Sequence, residues 1–206
     1  MKPSSSSSPR VRRGPPPDQR MTINTCRKYA LGPLLRDFEE RCAYSRLHLS
    51  RGQGTRCMEI DHFDPATKSV PTQAYESLYL ASRHCNGAKG DTWPSPEEQD
   101  AGLRFLDCCT EQDYGVHILE DTSTGLLYGT TPAGTYHIEV LELNAPFLVR
   151  ERQERTQWLQ LLKGTPVVAR MGTDVNTIGR CVDLMQKTVR DMIPPTPCPG
   201  SAQDSS

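Results

Sequence analysis

The feature that most limits how this chain can fold is a pair of short polar clusters whose key residues, His62 and Asn86, stand 24 positions apart. The first cluster, Met58-Glu59-Ile60-Asp61-His62-Phe63, sits in a segment, 56–63, that reads as a strand. Its period of two puts Glu59 and Asp61 on one face. The second, His84-Cys85-Asn86-Gly87-Ala88-Lys89-Gly90, reads as one or two helical turns ended by Gly90 and then Trp93-Pro94. A carboxylate and an amide oxygen are hard ligands that suit Mg²⁺ or Mn²⁺. A neutral histidine beside them can deprotonate a water, and a lysine a turn away can meet a phosphate. Residues of these types at this spacing point to a site for phosphodiester hydrolysis.

The surrounding pattern gives a mixed chain. Pro33 follows Gly32, and Leu34, Leu35, Phe38 and Cys42 step at helical spacing, which predicts a helix over 33–40. Residues 64–76 read as a loop with Pro65 and Pro71, and 78–81 as a short apolar strand. Farther on, 116–119, 126–128 and 136–143 look like strands, with Gly125 and the Pro132-Ala133-Gly134 stretch as turns between them. That predicts a small β meander, with His117 and His137 as ordinary strand histidines. A helix capped by Asn144 and ended by Gly164 follows, with Glu151 and Arg155 as an i,i+4 ion pair. A last helix over 174–192 carries Val175, Ile178, Val182, Met185, Val189 and Met192 in a 3,4 stripe. That stripe fits either this protein's own core or a partner protein.

Composition excludes several classes. The chain has 206 residues, enough for one domain with a real core. No run approaches the ~18 apolar residues of a membrane span. No apolar h-region follows the first charges, so no secretory signal is expected, and the expected location is the cytoplasm. Formal net charge is -1, which excludes a globally basic nucleic-acid coat but not a local basic groove. Residues 1–20 hold five cations against Asp18, five of the 17 prolines and a serine run, which predicts a disordered leader or a basic arm on phosphate. Eight cysteines without an export signal are expected to be reduced, and no CxxC pair exists among them. Cys26, Cys57, Cys181 and Cys198 are expected as buried thiols, and Cys108-Cys109 as part of a turn.

The central stretch resembles the HNH endonucleases. That family's signature runs through a CxxC, an acidic-x-Asp-His strand, Asn-Leu, and CxxCNxxKG. Here the matching text is Cys42-Ala43-Tyr44-Ser45, Glu59-Ile60-Asp61-His62, Ser77-Leu78, and Ser82-Arg83-His84-Cys85-Asn86-Gly87-Ala88-Lys89-Gly90. Downstream, Trp93-Pro94, Arg104-Phe105-Leu106, Leu143-Asn144-Ala145-Pro146 and the run from Leu148 to Arg152 resemble the extended HNH proteins of bacterial anti-phage defence. The resemblance implies an α+β fold: a ββα-metal core with an N-terminal helix, a small β meander and two C-terminal helices. It divides the chain into a leader (1–20), a nuclease domain (21–165, motif core 42–94, β extension 103–143), a helical segment (166–193) and a disordered tail (194–206).

By position, the resemblance makes His62 the general base and Asp61 and Asn86 the ligands of Mg²⁺ or Mn²⁺. Lys89 and Arg83 become phosphate contacts, with Glu59 and Ser77 in support. DNA is the implied substrate. An ATPase or other recognition subunit is the implied partner, docked on the C-terminal helix. Three departures qualify this. Ser77 stands where the family has an asparagine that steadies the loop of the general base. Ser45 and Ser82 replace one cysteine of each zinc-binding pair, leaving Cys42 and Cys85, too few for a closed structural Zn²⁺ site unless His48, His84 or Cys57 joins them. The knuckle is therefore expected to be held by packing and hydrogen bonds. Lastly, an Asp-His pair in place of His-His leaves much of the ion's coordination to water and phosphate. The alternatives are a non-catalytic nucleic-acid or partner-binding module on the same scaffold, and a ribonuclease.

Overall fold

A computed structural model describes residues 11–52 and 54–162. The architecture is α+β, with five α-helices and two two-stranded antiparallel sheets among the described residues. The segment 174–192 expected as a helix, the divisions 166–193 and 194–206, Cys181, Cys198 and residues 1–10 lie outside them. No helix among the described residues is long and apolar enough to cross a membrane.

Helix α1 spans Cys26–Asp37 and starts well before the expected position, with Pro33 inside it. A proline there forfeits one backbone hydrogen bond. Cys26, Ala30 and Leu34 recur four residues apart and are all buried, so tertiary packing outweighs that loss. Strand β1, Met58–His62, pairs antiparallel with β2, Leu78–Ser82, in the register Met58 to Ser82 and His62 to Leu78. Every residue of β2 is buried, which is why Leu78-Tyr79-Leu80-Ala81 reads as continuous rather than alternating. Helix α2, Arg83–Lys89, follows at once. Ser82 is both the last strand residue and the cap, accepting from the Cys85 N–H at 3.2 Å. Gly90, at φ 52°, ends it. The strand–strand–helix order sets β1 and α2 side by side.

Helix α3, Pro96–Asp100, opens with a capping box between Ser95 and Glu98. Beyond it the expected meander becomes a hairpin and a helix. Strands β3, Ile118–Glu120, and β4, Leu127–Gly129, pair, but 132–140 is helix α4, Pro132–Val140, not a third strand. Thr131 caps it by accepting from the Gly134 N–H at 3.1 Å, and Pro132 sits in the first turn, so the supposed turn residues are a helix start. Ala133, Gly134, His137 and Ile138 are its buried stripe. The helix lies so close to the hairpin that a Cβ on Gly134 would sit 2.0 Å from the His117 carbonyl oxygen, and one on Gly129 2.2 Å from the Thr135 nitrogen.

Helix α5 is Pro146–Leu162. Asn144 does not spend its side chain as its cap; the amide pairs with the backbone of Leu127, accepting from its N–H and donating to its carbonyl, both at 2.8 Å. Glu151 and Arg155 form tertiary pairs instead of pairing with each other, Glu151 with Arg51 at 2.6 Å and Arg155 with Glu120.

Residues 11–20 are not a free leader. The Val11 N–H donates to the Cys108 carbonyl at 2.9 Å, and Gly14 N–H to Asp37 at 2.9 Å. The Arg13 guanidinium lies 4.8–5.2 Å from the ring centres of Phe38, Tyr75 and Tyr79 and donates to the carbonyls of Tyr75, Glu76 and Leu78. Cation–π attraction and three carbonyls compensate the charge that the sequence reading gave to a solvated arm or to phosphate.

Candidate active site

The clusters singled out in the sequence meet along the seam between β1 and α2. Asp61 points inward and is 1% exposed. Its carboxylate takes the Lys89 ammonium at 3.2 Å on Oδ1 and 3.0 Å on Oδ2, and accepts from the Tyr44 hydroxyl. Burial pushes the Asp61 carboxyl above its ordinary range, with Lys89 opposing. Lys89 is 0% exposed and also donates to the His62 carbonyl at 2.9 Å. Lys89 thus stands as an internal counter-ion at the position where a phosphate contact was expected.

Two residues earlier on the same strand face, Glu59 accepts from Asn86 Nδ2 at 2.7 Å and from Arg83 Nε at 3.0 Å. Asn86 therefore reaches Glu59, while Asp61 reaches Lys89. Arg83 is the more exposed partner and extends to the Arg56 carbonyl. His62, 4% exposed, has Nε2 only 2.5 Å from Oε1 of Gln73. Ser77 steadies the neighbouring backbone: its hydroxyl donates to the Ala74 carbonyl at 2.8 Å, and its carbonyl accepts from the Phe63 N–H at 3.0 Å.

The knuckle assembles around Cys42 and Cys85. The Ser45 N–H reaches Cys42 Sγ at 3.5 Å, and the Ala43 N–H bonds the Leu80 carbonyl at 2.7 Å. Burial works against a Cys42 thiolate, but hydrogen bonds from Cys85, Ser45 and the Ser82 backbone outweigh it and lower its pKa. Cys85 is raised correspondingly, because it keeps the proton it shares with Cys42. The other residues weighed for this knuckle have partners elsewhere. His48 bonds Ser50, His84 faces the Glu142 carbonyl, and Cys57 donates to the Gly54 carbonyl. All six cysteines among the described residues are free thiols.

A second cluster lies away from the seam. Ligand atoms of Asp107, Cys108 and Cys109 fall within 4.8 Å of one another. Cys108-Cys109 occupies a turn, as expected. Asp107 accepts from Tyr79 at 2.5 Å and from the Cys109 N–H at 2.9 Å, and Arg13 lies 3.4 Å from Cys109 Sγ. The Cys108 hydrogen bond holds the Cys109 thiol at about 6, against burial and with Arg13 assisting. His137 is not a strand histidine. It is buried on α4 and accepts from the Leu106 N–H on Nδ1 at 3.0 Å. His117 lies just before β3, with Thr131 2.9 Å from its Nδ1.

Sequence reading missed Tyr44 and Gln73, the partners of Asp61 and His62. Tyr44 lay inside the Cys42-to-Ser45 text, but nothing in it foretold a carboxylate partner. Gln73 carried no signal at all, since only closure of the 64–76 loop brings it to His62. Glu59, Asp61 and Asn86 offer carboxylate and amide oxygens along one seam, a donor chemistry that fits Mg²⁺ or Mn²⁺. Lys89 supplies Asp61 with the positive charge that such an ion would otherwise bring. Comparison of the chain with protein-family models, curated proteins and solved structures gave no match.

Proposed function

We propose that this chain is a metal-dependent endonuclease of the HNH kind, hydrolysing phosphodiester bonds in DNA. The observation that carries the reading is the juxtaposition of β1 and α2, with Asp61 and His62 at the strand's end and Asn86 and Lys89 on the helix that faces it. Asp61 and Asn86, with Glu59 beside them, would hold the ion. Bound there, it would neutralise charge developing on the phosphate and the leaving oxygen.

His62 accepts the proton of the attacking water. Gln73 holds the imidazole, and the Lys89 bond to the His62 carbonyl ties the strand end to the helix. Asp61, His62 and Lys89 are engaged with each other or with neighbours, so a substrate phosphate enters by replacing internal pairs. In the proposed setting the chain is a cytoplasmic defence effector whose target choice comes from an ATPase-like partner on segment 166–193.

The near-complete burial of the same three side chains favours a second reading, a binding module on this scaffold that does not cut. One comparison separates the two. Supercoiled plasmid, single-stranded DNA and RNA are incubated with Mg²⁺, Mn²⁺ or EDTA, using wild type and His62→Ala. The nuclease cuts only with metal and loses ~10²–10⁴-fold in rate on His62→Ala. A binding module cuts nothing and retains its affinity in the variant. Preference for RNA would reassign the substrate.

A further inference from the structure

We propose that Gln73 is the positioning residue for His62, fixing its neutral imidazole as the Nε2–H tautomer and leaving Nδ1 as the basic nitrogen. The value of this to catalysis rests on the function proposed above, whereas the tautomer does not.

Three observations fix the geometry. Gln73 Nε2 donates to the Val70 carbonyl at 2.7 Å, its Oε1 lies 2.5 Å from His62 Nε2, and its own backbone N–H is held by the Met21 carbonyl at 2.9 Å. A backbone carbonyl can only accept, so the nitrogen of the side-chain amide must face Val70. Turned over, the amide would bring two acceptor oxygens together at 2.7 Å. With that orientation set, only an acceptor faces the ring, and the hydrogen of the short contact must come from His62 Nε2. Both side chains are buried, Gln73 at 3% and His62 at 4% exposed, so water does not offer the ring an equal alternative.

Ser77 steadies the backbone instead. Its hydroxyl and carbonyl are committed to Ala74 and Phe63. Gln73 is moreover anchored from outside its loop. Arg20 donates to Thr72 at 2.9 Å, and Arg13 binds the carbonyls of Tyr75, Glu76 and Leu78. The segment 11–21 thus clamps the loop that carries the orienting amide.

The test is ¹⁵N NMR of the His62 ring in the metal-free protein under alkaline conditions, beside plasmid cleavage with Mn²⁺. In wild type the protonated, pyrrole-like signal belongs to Nε2 and the pyridine-like signal to Nδ1. Gln73→Leu removes the acceptor; the two tautomers then mix, and kcat falls ~10–100-fold with KM little changed. Gln73→Glu keeps an acceptor at the same reach and keeps the Nε2–H signature. If Gln73→Leu does not fold, as judged by circular dichroism, Gln73→Glu decides: retention of Nε2–H supports the assignment, and a protonated Nδ1 overturns it. A protonated Nδ1 in wild type, or an unchanged tautomer and kcat in a folded Gln73→Leu, overturns it too. An Nε2–H signature in a wild type that cuts nothing upholds the positioning role and sinks only the nuclease reading.

Discussion

Two buried histidines, one in each half of the molecule, engage different ring nitrogens. His137 in the hairpin–α4 half takes the Leu106 N–H on Nδ1, so its lone pair is consumed by the backbone. His62 in the β1–α2 half meets an acceptor at Nε2, so its lone pair stays on Nδ1. The halves touch through Tyr44, whose ring packs edge-on against His137 and whose hydroxyl donates to Asp61.

The contrast extends to particular charged groups, Arg152 on one side and the seam carboxylates Asp61 and Glu59 on the other. Arg152 in the hairpin half bonds the carbonyls of Gly125 and Leu143 at 2.5 and 2.9 Å. Along the seam, Asp61 pairs with Lys89 and Tyr44, and Glu59 with Asn86 and Arg83. Bonds from side chain to backbone hold a fold and cannot be traded without breaking it. Bonds between side chains can be exchanged for a ligand of the same charge.

The largest effect is expected where backbone meets backbone. Gly134→Ala drives a methyl to 2.0 Å from the His117 carbonyl, and no side chain is there to give way. Helix α4 must leave the hairpin, with loss of cooperative unfolding for that half in thermal denaturation. A variant that melts like wild type would mean the contact is slack and the contrast in rigidity is misplaced.

Next comes the seam. Lys89→Met leaves the Asp61 carboxylate buried without its cation, at a cost of about 3–5 kcal/mol in urea denaturation. Mn²⁺ should restore much of that stability in Lys89→Met, because an ion can take the ammonium's place among oxygen donors. The control is Arg46→Met. Its partner Asp113 takes both bonds of one Arg46 nitrogen, at 2.8 and 2.7 Å, and also accepts from the Tyr114 backbone N–H at 2.8 Å, so the backbone holds that carboxylate in place. Mn²⁺ should leave that variant unaided. Equal relief of both variants, or of neither, removes the distinction between exchangeable and fixed pairs.

What the sequence made legible follows the same division. Strands β1 and β2 and helix α2 were readable because alternation, a continuous apolar run and a glycine stop are local signals. The same text placed Asp61, His62, Asn86 and Lys89 on adjoining elements. It did not tell which would pair, because Lys89 meets Asp61 only once α2 packs against β1. Helix α4 was hidden because Tyr136, Ile138 and Val140 alternate with polar residues as a strand would, whereas the Thr131 cap, Pro132 in the first turn and the close fit of Gly134 against Gly129 of β4 favour the helix. The place of Arg13 was equally unreadable, since its three rings come from positions 38, 75 and 79.

The smallest of these effects is a pH dependence. Burial depresses the His137 pKa from 6.5 to about 4, with Asp113 opposing. In the unfolded chain the ring binds its proton at the ordinary value. Between about pH 6.5 and 4 the unfolded state therefore carries more protons than the native one. Stability contributed by neutral His137 is complete above pH 6.5 and falls as the solution is acidified toward 4. Over that window the loss is on the order of 3 kcal/mol. Urea denaturation across it should show a steeper acid loss for wild type than for His137→Gln, whose amide oxygen can still accept from Leu106 but does not titrate. Equal slopes would mean that the ring protonates without cost, and that the hairpin half is no more fixed around its histidine than the seam is around His62.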